Sequence, residues 1–256
     1  MPTSSPSIQE ILERRRRETF VGRDEQLDCF REQLALAADD PRRRFVLGVS
    51  GQGGVGKTTL LRQYVRLAEA ARAAVALSDQ AEGDAPAVMA RLAGQLGASG
   101  GDPFRAFNER YTTFRRRRDE LESQPDAPQG LAGLFARATV KGLGKVARNT
   151  MPGADLALDL FEDPLADQAG QWAEFVRRKL GNRDETQLVL EPAVVLSPLF
   201  VQGLADLAAG RRVALLFDSY EHTAPFLDGW LRELLNGRHG AVPGDVTFVA
   251  AGRLEL

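Results

Sequence analysis

Short apolar runs alternate with stretches of helical period along this chain. Phe45 to Val49 is apolar throughout, the pattern of a strand covered on both faces in a parallel sheet. After it, Leu60, Leu61, Tyr64 and Ala68 share one face of a helix that runs to about Ala73. Ala74 to Asp79 then reads as a second strand. Strand, helix, strand is the unit of an α/β fold, and its crossover is expected to be right-handed. Upstream, Leu27, Phe30 and Leu34 recur at helical spacing, behind a break at Gly22 and a cap at Asp24. Far downstream the strand pattern returns. Arg211 to Asp218 is a buried strand ending in an acid, Pro225 to Asn236 a helix burying Phe226, Trp230, Leu231 and Leu234, and Val246 to Ala250 a fourth strand.

Between Gln80 and Arg212 the α/β rhythm stops for roughly 130 residues, where a crossover needs only a dozen or more. Val88, Leu92 and Leu96 predict one helix, Pro103 to Leu121 another, and Trp172, Phe175 and Val176 a third near Gln171 to Leu180. Ser197 is expected to cap a further helix, with Pro198 in its first turn and Gly210 closing it. Ser123 to Gly130 has linker composition. The expected organisation is a lead-in over 1–40 and an α/β domain over 41–256, with a helical insertion over about 81–195.

The strongest chemical signal stands between the first strand and its helix: Gly51, Gln52, Gly53, Gly54, Val55, Gly56, Lys57, Thr58, Thr59. Strand, glycine-rich turn, Gly-Lys-Thr and helix make a phosphate-binding loop. Glycines let backbone N–H groups converge on phosphate oxygens without Cβ interference. The helix N-terminus presents its positive end to the same anion. Lys57 is expected at the β and γ phosphates, and Thr58 at Mg²⁺.

An acid at the carboxyl end of a buried strand lies where open α/β sheets bind ligands. Asp218 is therefore the candidate to hold the Mg²⁺ water shell opposite Thr58, with a helix cap as the alternative. Glu221, three residues on, either orients or deprotonates the attacking water or is an exposed acid at a helix entry. Arg253, just past the fourth strand, either clamps the γ phosphate or is a surface arginine. His222 and His239 lack ligand partners at metal spacing.

Composition narrows the classes. The net charge of −2 gives no global electrostatic case for nucleic acid or an anionic membrane. The single cysteine, Cys29, excludes an internal disulfide and is expected as a buried helix residue. No apolar run nears the ~20 residues of a membrane span, and the polar start, Met1 to Pro6, lacks a signal core, so the chain is expected to be cytoplasmic. Ser7 to Glu10 is a capping-box pattern opening a short helix whose run Arg14 to Arg17 reads as a solvated face. Residues 131–148 carry Arg137, Lys141, Lys145 and Arg148 opposite Leu131, Phe135 and Val146. That pattern fits a membrane surface or a partner groove, but Gly133, Gly142 and Gly144 each cost about 1 kcal/mol in helix propensity, which favours an ordinary solvated face.

Val21-Gly22-Arg23, the phosphate loop, Asp218-Ser219-Tyr220-Glu221 and Ala251-Gly252-Arg253 together resemble the STAND class of P-loop ATPases, which includes NB-ARC and MalT-like proteins. The resemblance covers residues 20–79 and 211–255 and leaves out the insertion. It implies a parallel sheet of order 5-1-4-3-2, adenine nucleotide (ATP or ADP) with Mg²⁺, Val21 and Arg23 near the adenine and phosphates, and Arg253 as the sensor arginine. Ser219 stands where many members carry a second acid, a departure from the family pattern under which the resemblance does not by itself assign the base to Glu221. The fifth strand, helical lid, winged helix and sensor repeats are not in the 256 residues, so the chain resembles the nucleotide-binding part of a longer protein or a cut-down relative. The expected function is an ATP-binding, slowly hydrolysing switch that partners with itself or with C-terminal sensor or effector regions. A non-hydrolysing scaffold is the alternative. A DNA-associated ATPase is disfavoured by the charge and by the lack of a helix-turn-helix signal.

Overall fold

The computed structural model describes residues 22–97, 102–128 and 164–253, with the backbone alone described for 164–170. The expected helix after Ser7, Val21 and the basic stretch 131–148 lie outside the described residues. Strands are β1 (Val46–Ser50), β2 (Ala74–Ser78), β3 (Val213–Phe217) and β4 (Val246–Gly252). Helices are α1 (Asp24–Ala35), α2 (Lys57–Ala70), α3 (Ala85–Gly97), α4 (Arg105–Glu122), α5 (Pro164–Lys179), α6 (Arg183–Leu190), α7 (Pro192–Ala208) and α8 (Tyr220–Leu235).

The four strands are all parallel and stand in the order β1-β4-β3-β2. No fifth strand occurs among the described residues. One sheet face packs on α1 and α2: Phe30, Leu34, Leu60, Leu61, Tyr64 and Ala68 meet Ala214, Leu216, Val249 and Ala251. The opposite face carries the larger core, formed with residues of α3 to α8. The expected insertion thus supplies a helical layer against the sheet, in which α4 and α6 pack on α7.

Four local expectations are corrected. β1 is not covered on both faces. Val46 is 42% exposed, because β1 pairs only with β4 among the described residues and the α3–α8 core covers β2, β3 and β4 on that side. Ser197 does not cap a helix. α7 begins at Pro192, where a missing N–H costs nothing, and runs through Ser197 and Pro198. Buried Ser197 donates its hydroxyl to Ala193 O at 2.6 Å and accepts Trp230 Nε1–H at 2.9 Å. Cys29 is exposed on α1, whose inward face is taken by Phe30, Gln33 and Leu34. Asp24 is the first residue of α1 rather than its cap, and left-handed Arg23 (φ 72°) holds that position.

Two contacts join the layers. The Arg43 guanidinium, 6% exposed, donates to the carbonyls of Gln33, Leu36 and Gly244, tying the end of α1 to the loop before β4. Arginine suits this position because its fork reaches several acceptors and satisfies the last carbonyls of a helix. Gly203 lies in α7 against the fully buried Phe104 ring. A Cβ there would stand 2.4 Å from the ring and 2.9 Å from Pro103 O. Gly203→Ala is therefore expected to destabilise by about 1–2 kcal/mol, the overpacking cost less alanine's better helix propensity. Urea denaturation reads this directly, and an unchanged midpoint would contradict the packing described.

Among the described residues no single helix is long and apolar enough to cross a membrane. α6 and α7 pass by composition only as a pair, bent by 92°. Their apolar residues, Leu188, Val189, Leu196, Phe200 and Leu204, belong to the core.

Candidate phosphate-binding site

The loop of residues 51–56 joins the carboxyl end of β1 to the start of α2. Gly54 (φ 82°) and Gly56 (φ 86°) take left-handed backbone, which is why glycine stands at both. Gly56 is the N-cap of α2 and offers no side chain to the first-turn N–H groups, so these donors remain for a ligand. Residues 52–55 and Thr58 are exposed, and Lys57 and Thr59 are half-buried. Lys57 folds over the loop, its Nζ donating to Gly51 O at 2.6 Å and Gln52 O at 3.0 Å.

Arg23 reaches the same loop. Gly22 (φ 83°) and Arg23 form a left-handed pair that turns the chain into α1, and the Arg23 guanidinium donates to Val55 O. Its approach is fixed by α1 packing on α2. Phe30 stacks on Tyr64 at 4.2 Å between centroids, and the Tyr64 hydroxyl donates to Gln26 O at 3.1 Å. Burial pushes that hydroxyl up to about 12.

Asp218 extends β3 by one residue. Its N–H donates to Ser78 O at 2.8 Å, and its carboxylate accepts from Ser219 N at 2.8 Å. The side chain is 8% exposed. Phe217 and Gly48 both pair with Ala250. Asp218 is therefore level with the end of β1, two strand spacings or about 10 Å away across the sheet. Ser219 (φ 53°) then turns the chain into α8. Tyr220 anchors this turn through a 2.6 Å bond from its hydroxyl to Asp228 Oδ1. Burial and that bond hold its pKa well above the usual tyrosine range.

Glu221 follows on the first turn of α8, expected near the site as a possible base. Both of its oxygens are engaged with Arg253. Oε1 lies 3.2 Å from Arg253 Nε, and Oε2 accepts the Arg253 backbone N–H at 3.2 Å. Arg253 in turn lies against the loop: a Cβ on Gly53 would stand 3.8 Å from its Nη2. The end of β4 thus bridges Glu221 and the glycine-rich turn.

Arg23, Gly51 to Thr59, Asp218, Glu221 and Arg253 all gather at the carboxyl edge of the sheet, where ligands bind in open α/β folds. No protein-family model and no curated protein matches this chain. The chemistry is therefore read from this arrangement. Among the described residues, no group of three or more His, Cys, Asp or Glu side chains could hold a metal by itself. Thr58 supplies a hydroxyl and Asp218 a carboxylate, the donor types that Mg²⁺ takes together with several waters and substrate phosphates.

Two features of the site had no signal in the sequence. The Glu221–Arg253 pair joins residues 32 apart through the fold. Glu82 is the second. It accepts from Ser78 Oγ at 3.1 Å beside the Asp218 ladder bond, and Arg91 Nε balances its charge at 3.1 Å. Separately, a groove of about 730 Å³ runs along α4, lined by Tyr111, Arg115, Arg116 and Asp119. None of the loop residues lines it.

Proposed function

We propose that this chain is an ATP-binding, slowly hydrolysing switch module of the STAND type. The observation that carries the reading is the loop itself: left-handed glycines, uncapped helix N–H groups and Lys57 stand together in one exposed turn at the start of α2. Such a constellation suits a phosphate chain and has no use in a simple turn. Lys57 and the backbone N–H groups bind the phosphates. Thr58 and Asp218 hold the Mg²⁺ shell, and the cation neutralises charge on the phosphate oxygens. Arg23, at Val55 O, and Arg253, beside Gly53, both reach the loop and contribute positive charge.

Adenine over guanine, and partnership with another copy or with sensor and effector regions, follow from the resemblance of the Val-Gly-Arg, Asp-Ser-Tyr-Glu and Ala-Gly-Arg segments to STAND proteins. A second reading, a scaffold that binds nucleotide without turning it over, is favoured by two features. Both Glu221 oxygens are held by Arg253, and Ser219 supplies no second acid. Titration calorimetry with ATP and ADP, with and without Mg²⁺, tests the shared claim. One nucleotide per chain, bound more tightly with Mg²⁺, is expected; absence of binding by both nucleotides would overturn it. Steady phosphate release with MgATP then selects the switch, and its absence the scaffold.

A further inference from the structure

We infer that Glu221 is a positioning residue for Arg253 rather than the base that activates water; this rests on the nucleotide reading above. Three observations carry it. First, Glu221 spends both oxygens on one residue, Oε1 on the Arg253 guanidinium and Oε2 on the Arg253 backbone N–H, each at 3.2 Å. Two contacts to one residue fix the carboxylate's orientation toward Arg253, whereas a general base is oriented toward the proton it takes. Second, the grip is set by close packing. A Cβ on Gly252 would stand 3.2 Å from Glu221 Oε2, so the carboxylate lies directly against the last residue of β4. Third, Arg253 is held on the loop side, against Gly53.

The asymmetry of exposure supports the same assignment. The Arg253 side chain is 64% exposed, whereas that of Glu221 is 19% exposed. An exposed arginine alone samples many rotamers, and ordering it is costly. An exposed ion pair by itself contributes little. Here the second contact, to the backbone N–H, fixes the carboxylate first, and the guanidinium is then aimed by a partner already in place. Glu221 thereby determines how well Arg253 meets the terminal phosphate, the group that distinguishes ATP from ADP. Anchoring of Tyr220 to Asp228 fixes the turn that presents Glu221.

The experiment compares wild type, Glu221→Gln, Arg253→Ala and the double variant. Each is titrated with a non-hydrolysable ATP analogue and with ADP, both with Mg²⁺. Arg253→Ala is expected to weaken the analogue by about tenfold or more, the worth of one charged hydrogen bond, and to leave ADP unchanged. Glu221→Gln keeps the side-chain shape and is expected to show the same selective loss. The double variant is expected to lose no more than Arg253→Ala alone, because the two residues act as one unit. Glu221→Asp, which keeps the charge but shortens the reach, is expected to fall between Glu221→Gln and wild type. If Glu221→Gln binds the analogue like wild type, the assignment is overturned while the nucleotide reading stands. Equal loss of analogue and ADP in Glu221→Gln, additive with Arg253→Ala, also overturns it, since Glu221 then supports the site as a whole. A wild-type protein that binds neither ligand overturns the nucleotide reading and this assignment with it.

Discussion

Lys57→Ala is expected to abolish nucleotide binding while the protein stays folded. The side chain lies at the loop and makes two hydrogen bonds, to Gly51 O and Gln52 O, both within the loop it serves. It is half-buried and contributes nothing to either core cluster. Its removal therefore costs the fold little. Its loss to a bound phosphate chain is large, because each charge-assisted hydrogen bond contributes about 1.5–3 kcal/mol. Two such bonds correspond to a fall in affinity of at least about a hundredfold. Titration with a fluorescent ATP analogue measures the fall, and a thermal melt confirms that the fold is intact. Unchanged affinity in Lys57→Ala would remove the loop from the account.

The second large effect is expected at Asp218. Its backbone N–H continues the sheet ladder to Ser78, and its Oδ1 accepts from Ser219 N. Asparagine preserves both, since its amide oxygen can take the same hydrogen bond. Asp218→Asn thus removes a charge without removing a structural contact. If Asp218 orders the water shell of Mg²⁺, the apparent Mg²⁺ affinity of the nucleotide complex falls about 10–100-fold, the usual result of losing an outer-shell partner. Binding of ATP without Mg²⁺ should change little or improve, because one negative charge near the phosphates is gone. A Mg²⁺ titration of ATP binding separates the two effects. A variant with the wild-type Mg²⁺ dependence would take Asp218 out of the cation site.

The loop is legible because its motif asks for particular residue types at fixed local spacing. Gly54 and Gly56 are left-handed in the structure for the reason the motif needs glycine there. Strand positions were legible as apolar runs, but an apolar run does not say how many neighbours a strand has. β1 reads like β3 in sequence, yet every residue of β3 is buried while Val46 on β1 is not. Helix starts were the weakest inference. Pro192 and Pro198 both look like first-turn prolines. The choice between them depends on Trp230, 33 residues beyond Ser197, which buries the serine hydroxyl in mid-helix. The short α6 was not foreseen. Its cap, Asn182 accepting from Asp184 N at 2.9 Å, is a local signal, but only Leu188 and Val189 are buried in it. Helical spacing marks an apolar stripe without its edges: Phe30 and Leu34 hold the stripe, and Cys29 lies exposed beyond it.

Site residues on separate strands were nameable, and their mutual contacts were not. Arg23, Glu221 and Arg253 were each singled out by the segment around them. Sheet order and register, which are non-local, make Arg253 the neighbour of both Glu221 and Gly53.

The central claim is that the loop of residues 51–59 holds an adenine nucleotide. The most direct test is to purify the wild-type chain and Lys57→Ala side by side, release any bound nucleotide by denaturation, and identify it by chromatography. The account predicts near-stoichiometric ADP from the wild type and none from Lys57→Ala. Equal nucleotide content in the two proteins would contradict it, and so would a wild type that carries none and takes none up when offered MgATP.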